Sequence, residues 1–300
     1  MQQELYVMPF DHRGSFLEKL FGIKDRPPTD EETALVAGYK QVVYDGFLKA
    51  LEMGAPKDKA AILVDEQFGD AIALDARSRG VTLCMPVEKS GQEEFDFEYD
   101  DYFAQHIEQF SPDYVKVLVR YNPEGDQAMN ERQAERLQML SSYCIDKGCK
   151  LLFELLVPAT EAQLAIIGND KKRYDAEVRP GLMVKAIHEL HLAGVEPVVW
   201  KLEGLIRRED YEAVVKQARI NGREVGIIIL GRGENAEAVK GWMQTGAAVE
   251  GVIGFAVGRT VFMNALQSFK AGTYTRDQAV DEVAKNYKGF CDLFEEARRK

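Results

Sequence analysis

Three hundred residues, 46% of them hydrophobic and 29% charged, are enough to bury a full core as one large domain or two smaller ones. The formal net charge of −11 argues against a nucleic-acid binder, whose affinity comes from neutralising phosphates. No uncharged run approaches the roughly 20 residues of a membrane helix, and the opening "MQQELYVMPF" lacks the basic-then-apolar pattern of a signal peptide, so a cytoplasmic protein is expected, with neither nucleic acid nor membrane as a partner.

Short apolar runs alternate with helical patterns along the chain. The first run, "LYVMPF" (5–10), ends in "DHRGS" and enters a long loop, 12–30. The helical pattern that follows, 30–54, carries stripes at Ala34, Gly38, Val42 and at Leu35, Tyr39, Val43, with Gly54 as its stop. "AAILVD" (60–65) ends in "DEQFG" and "VTLCMPV" (81–87) ends in "VEKSG". "YVKVLVR" (114–120) precedes the helical "MNERQAERLQMLSSYCIDKG". "KLLFELL" (150–156) leads into a second long connection, 158–181. "PVVWKL" (197–202), "VGIIIL" (225–230) and "VEGVIGF" (249–255) complete the set, with helical material after each and from Arg259 to Lys300.

Strand–helix alternation predicts a parallel sheet. Eight such units match an α/β fold of the (β/α)8 TIM-barrel type, a single domain over 1–300, better than a doubly wound sheet. No GxGxxG or GxxxxGK[ST] signature of the open-sheet alternative occurs. The four cysteines, Cys84, Cys144, Cys149 and Cys291, form no CxxC pair and read as reduced packing thiols. His188 and His191, three apart on a helix, read as surface or packing residues. His12 is the one histidine at a strand end, so no metal site is expected.

In such a barrel the active site lies at the C-terminal strand ends. Those ends carry Asp11, His12 and Arg13; Asp65 and Glu66; Glu88 and Lys89; Lys116 and Arg120; Glu154; Lys201 and Glu203; "LGRGEN"; and "GFAVGRT". Lys116, Glu154 and Lys201 lie within their strands, and strands four, five and six are neighbours. "VVWKLEGL" shows the problem most sharply: strand alternation puts Val199, Lys201 and Glu203 on one face and Trp200 and Leu202 on the other. A lysine pointing into a core is costly unless paired or used.

Burial and a second cation such as Lys116 would lower the Lys201 pKa. A neutral Lys201 could condense with a ketone to a Schiff base and permit C–C cleavage. Glu154 is then the candidate for proton transfer. The competing reading is a buried Lys201–Glu154 ion pair without chemistry. At the last strand, Gly254 and Gly258 permit close backbone approach, and Arg259 opens a helix whose positive end favours an anion. Gly231, Arg232 and Gly233 could complete a phosphate site there.

"DHRGS", "VDEQFG", "PVEKSG", "VKVLVRYNP" and "WKLEG" together resemble the class I aldolases of the tagatose 1,6-bisphosphate aldolase type. They are closer to the aldolase-like domain fused behind 5-dehydro-2-deoxygluconokinase in bacterial myo-inositol catabolism. The resemblance covers nearly the whole chain. It implies a (β/α)8 barrel with a covalent lysine imine as its only "cofactor" and no metal. It implies Lys201 as the Schiff-base lysine, Glu154 as the acid/base, and Lys116 and Asp11 as further catalytic groups. Arg259 would then bind a substrate phosphate.

His12 stands where the tagatose type has Gln, and "LGRG" departs from that type's loop. No Gly-Ala-Gly-Asp kinase motif occurs, so the aldolase part is expected to stand alone. The implied reaction is cleavage of 2-deoxy-5-keto-D-gluconate 6-phosphate to dihydroxyacetone phosphate and malonate semialdehyde, with Arg13, Lys89 or Arg120 meeting the carboxylate. Glu66, Glu88 and Glu203 are ligand contacts or counter-ions. The alternatives are another phosphorylated ketose, such as tagatose bisphosphate or a sulfo-sugar phosphate, and a non-catalytic barrel that binds a sugar phosphate. The expected partner is a small phosphorylated sugar, and association into a homo-oligomer is compatible with the sequence.

Overall fold

A computed structural model describes residues 3–299. Eight strands close into a parallel barrel in chain order: β1 (Leu5–Pro9), β2 (Ala60–Leu63), β3 (Thr82–Pro86), β4 (Tyr114–Arg120), β5 (Lys150–Leu156), β6 (Val199–Glu203), β7 (Gly226–Leu230) and β8 (Val252–Ala256), with β8 pairing to β1. All eight apolar runs are strands. Helices Asp30–Glu52, Glu66–Ser78, Phe103–Phe110, Gln127–Lys147, Arg179–Leu192, Arg208–Ala218, Ala236–Ala247 and Arg259–Lys270 follow them in turn, and Arg276–Arg298 ends the described chain. Several start on sequence-encoded caps. Thr29, Thr160 and Thr275 each close a capping box with the Glu or Gln three residues on.

The largest buried cluster lies between strands and helices, where Tyr6, Phe153, Trp200 and Phe255 meet residues such as Ile187, Val214, Tyr287 and Phe294. The helix Asp30–Glu52 buries only the later part of its expected stripes, Val42 and Val43, with Tyr39 half-buried against the core. Ala34, Leu35 and Gly38 are exposed, while Val36, Lys40, Val43 and Phe47 are buried. The i, i+4 face runs through a lysine, which is buried because its Nζ binds the Asp65 carboxylate and lies over the Phe16 and Phe68 rings.

The four cysteines are free and buried or half-buried. His191 packs its ring edge-on against Trp200, and His188 is exposed. No helix among the described residues is long and apolar enough to cross a membrane.

Closure between β8 and β1 depends on Gly254. A Cβ there would lie 1.9 Å from the Leu5 carbonyl oxygen, and neither backbone can retreat without breaking the ladder. Gly254→Ala is expected to destabilise the fold by about 3 kcal/mol or more, lowering the melting temperature by roughly 6 °C or more. A melt within about 1 °C of the wild type would contradict this closure geometry.

Candidate active site

The inward faces of the strands change character along the barrel. Leu5, Val7, Ala61, Leu63, Cys84, Tyr114, Leu152, Val199 and Ile228 form an apolar plug. Further toward the C-terminal ends, the same faces carry Lys116, Glu154, Lys201 and Glu203, with Asp11 and Glu88 just past β1 and β3, all buried. These groups floor a cavity of about 1020 Å³ at the mouth of the barrel. Charges at that depth persist only when paired, and these pair with one another.

Glu154 Oε2 accepts from Lys201 Nζ at 2.8 Å and lies 3.1 Å from Lys116 Nζ, so one oxygen joins both lysines. Lys116 also donates to Asp11 Oδ2 at 2.8 Å and Glu88 Oε1 at 2.5 Å. The cation expected beside Lys201 is therefore present, but a carboxylate oxygen sits between the two amines.

Burial alone would lower the Lys116 pKa, yet Asp11, Glu88 and Glu154 outweigh it and hold this amine charged well above the usual lysine range. Burial pushes the Asp11 and Glu154 carboxyls up, but the lysines win and both lie below the usual range. Glu88 goes the other way: burial raises it, with Lys116 and Arg13 only partly compensating. Its Oε2 has no hydrogen-bond partner. Of the three carboxyls around Lys116, Glu88 is the one best suited to hold a proton.

The remaining expected residues occupy distinct places. Burial pulls His12 down to about 4 against the pull of Asp11, which leaves a neutral imidazole edge-on to Phe262. Arg13 is buried and committed to Glu98 at 2.7 Å and to the Glu88 carbonyl at 2.5 Å. Lys89 pairs with Asp96 and Asp100 on the rim. Arg120 lines the cavity and donates to the Gln92 carbonyl at 2.6 Å.

At the β8 end, Arg259 opens its helix, lines the cavity and donates to the Arg232 carbonyl at 2.6 Å. Burial lowers its pKa. Gly233, at φ 74°, leaves the space this guanidinium fills, since a Cβ there would fall 2.6 Å from Arg259 Cζ. Arg232 itself sits at φ 52°, a strained conformation for a non-glycine residue. Its side chain is tied to Asp175 and Glu203, each at 3.1 Å, rather than free for a ligand. Gly258 is required for packing as well as access: a Cβ would meet the Pro9 carbonyl at 2.0 Å. Gly231 is buried against Val257 and lies off the cavity wall.

Two groups were not anticipated. Arg179, buried at the end of the long connection after β5, binds Glu203 at 3.0 Å, Asp175 at 3.1 Å and the Gly204 carbonyl. Glu203, bonded to Arg179, Arg232 and the Val157 N–H, is thus a counter-ion, and with Tyr174 on the Val157 carbonyl it pins that connection over the barrel mouth. The Lys40–Asp65 pair does the same for the end of β2. Glu66 lies apart from the cluster, paired with His106. Among the described residues, no group of three or more His, Cys, Asp and Glu side chains is placed to hold a metal ion.

Comparison with known proteins agrees with this architecture. Residues 1–298 match the model of the family described as "Uncharacterized protein conserved in bacteria (DUF2090)". The chain belongs to that family. No curated protein matched it. Among solved structures, fructose-bisphosphate aldolase from Plasmodium falciparum superposes with a TM-score of 0.69 at 12% identity, covering 98% of this chain and 91% of that one. Cgl0159 from Corynebacterium glutamicum gives 0.57 at 14% identity, covering 94% and 85%. At such identities the likeness is one of fold, a (β/α)8 barrel.

Proposed function

We propose that this protein is a class I aldolase that cleaves a phosphorylated ketose through a Schiff base on Lys201. The observation that carries the reading is the shared Glu154 oxygen, 2.8 Å from Lys201 Nζ and 3.1 Å from Lys116 Nζ, on the floor of the cavity. A proton passed from the Lys201 ammonium to Glu154 leaves a neutral amine and a carboxylic acid in contact. The amine attacks the substrate ketone. Glu154 returns the proton to the carbinolamine hydroxyl, which departs as water and leaves an iminium.

Glu154, again a carboxylate, then takes the proton from the substrate hydroxyl two carbons away. The C–C bond breaks, its electron pair flows to the iminium nitrogen, and an aldehyde leaves. Protonation of the enamine and addition of water release the second product and restore the amine. Lys116 stays charged throughout and stabilises Glu154 as an anion. Arg259 and the N-terminus of its helix receive the phosphate.

The finer reading is cleavage of 2-deoxy-5-keto-D-gluconate 6-phosphate to dihydroxyacetone phosphate and malonate semialdehyde. Its ketone adjoins the phosphorylated carbon, and Lys201 and Arg259 line the same cavity. Incubation with this compound, with tagatose bisphosphate and with a sulfo-sugar phosphate, followed by product analysis, tests it. Release of dihydroxyacetone phosphate and malonate semialdehyde from the first is expected. Cleavage of only another ketose moves the substrate. Binding without cleavage of any would sink the aldolase reading in favour of a sugar-phosphate-binding barrel.

A further inference from the structure

Six arginines line the cavity. Arg13 is neutralised by Glu98, Arg26 by Glu32, and Arg179 and Arg232 by Asp175 and Glu203. Arg120 and Arg259 have no carboxylate partner among the described residues; each donates to a backbone carbonyl instead. A cavity-facing guanidinium fixed by one neutral carbonyl keeps most of its donors for an anion. The two lie on β4 and at the end of β8, half-way round the ring from each other, with Glu154 on β5 and Lys201 on β6 between them.

The spacing from the chemistry is short. Lys116, Leu118 and Arg120 alternate with outward residues along β4, and all three line the cavity. Arg120 therefore springs from the strand about 13 Å beyond Lys116 and about 7 Å beyond Leu118, the position level with Glu154. Leu118 pairs with Glu154, and Arg120 pairs with Leu156. The wall between the reacting groups and Arg120 thus presents leucines, which offer nothing to a hydroxyl.

We propose that Arg120 anchors a second anionic group of the substrate, carried by the aldehyde half that cleavage releases, and that it makes the site selective for short anionic aldehydes. The inference rests on the aldolase reading above and deepens it. Arg13 and Lys89, the other cations the sequence offered for this anion, already hold carboxylates. The distance suits an aldehyde carbon separated from its carboxylate or phosphate by one or two atoms.

The test runs the reaction as condensation. Dihydroxyacetone phosphate is supplied with malonate semialdehyde, with glyceraldehyde 3-phosphate, or with uncharged propanal. Wild type is expected to show a higher kcat/KM for an anionic acceptor than for propanal. In Arg120→Gln that ratio should fall by roughly tenfold to hundredfold, the worth of a charge-assisted hydrogen-bonded contact. Arg120→Lys should retain part of it. The ranking of the two anionic acceptors separates carboxylate from phosphate as the anchored group. A wild type that labels with dihydroxyacetone phosphate at Lys201 but treats charged and neutral aldehydes alike overturns the inference and spares the aldolase reading. So does an unchanged ratio in Arg120→Gln. Absence of both labelling and condensation removes the aldolase reading and this inference with it.

Discussion

Lys201→Met is expected to lower turnover by at least about a thousandfold, because it removes the nucleophile and not merely a binding contact. The fold should survive. Glu154 keeps Lys116 at 3.1 Å, and the methionine fills most of the lysine's volume within a largely apolar barrel interior. The measurement pairs steady-state kinetics with a thermal melt. A variant that melts near the wild type and has lost turnover supports the assignment. A variant with turnover within about tenfold of the wild type contradicts it, since among the described residues no other lysine touches Glu154 except Lys116, which is held as a cation by three carboxylates.

Lys116→Met is expected to do more damage to the fold. It strips Asp11, Glu88 and Glu154 of their shared counter-ion at once, and breaking a buried pair by removing one partner costs about 3–5 kcal/mol. The loss should depend on pH. Lys116 holds the Asp11 carboxyl below its usual value, and Lys201 together with Lys116 does the same for Glu154. Each therefore contributes stability that is full above the ordinary carboxyl pKa of about 4 and is lost as pH falls through the depressed native value. In the variant the depression of Asp11 is relieved and that of Glu154, still paired with Lys201, is lessened, so the stranded carboxylates take up protons more readily. The gap between wild type and variant should be widest near neutrality and narrow as the pH falls below about 5. Lys116 itself, raised in the native state, keeps its contribution through the neutral range and loses it only above the ordinary lysine range. A gap that is constant from neutral to acid pH would falsify the shared-cation geometry.

Much of the barrel was legible because its strands are apolar runs of a length that sheets favour, separated by segments long enough to hold a crossover helix. Lys116, Glu154 and Lys201 stood out for the same reason: each is a charge inside such a run, and strand parity sends all three to one face. What the sequence did not disclose depends on contacts between distant positions. Lys40 lay outside the stripes expected for its helix. It is buried only because Asp65, 25 residues on, meets it. Arg179 belongs to a connection with no periodic pattern, and its burial follows from Glu203 on a different strand. Arg232 and Gly258 were read as parts of a phosphate cradle. Arg232 spends its charge on Glu203 and Asp175, and Gly258 makes room for the Pro9 carbonyl. Nothing local in "LGRG" or "AVGRT" distinguishes those uses from binding.

The aldolase reading makes Lys201 a nucleophile toward a ketone. Its most direct test is to treat the protein with borohydride in the presence of dihydroxyacetone phosphate and map the modified residue by mass spectrometry. A reduced adduct on Lys201 is expected, dependent on both reagents and absent from Lys201→Met. An adduct confined to other lysines, or none while the sugar phosphate is bound, would contradict it.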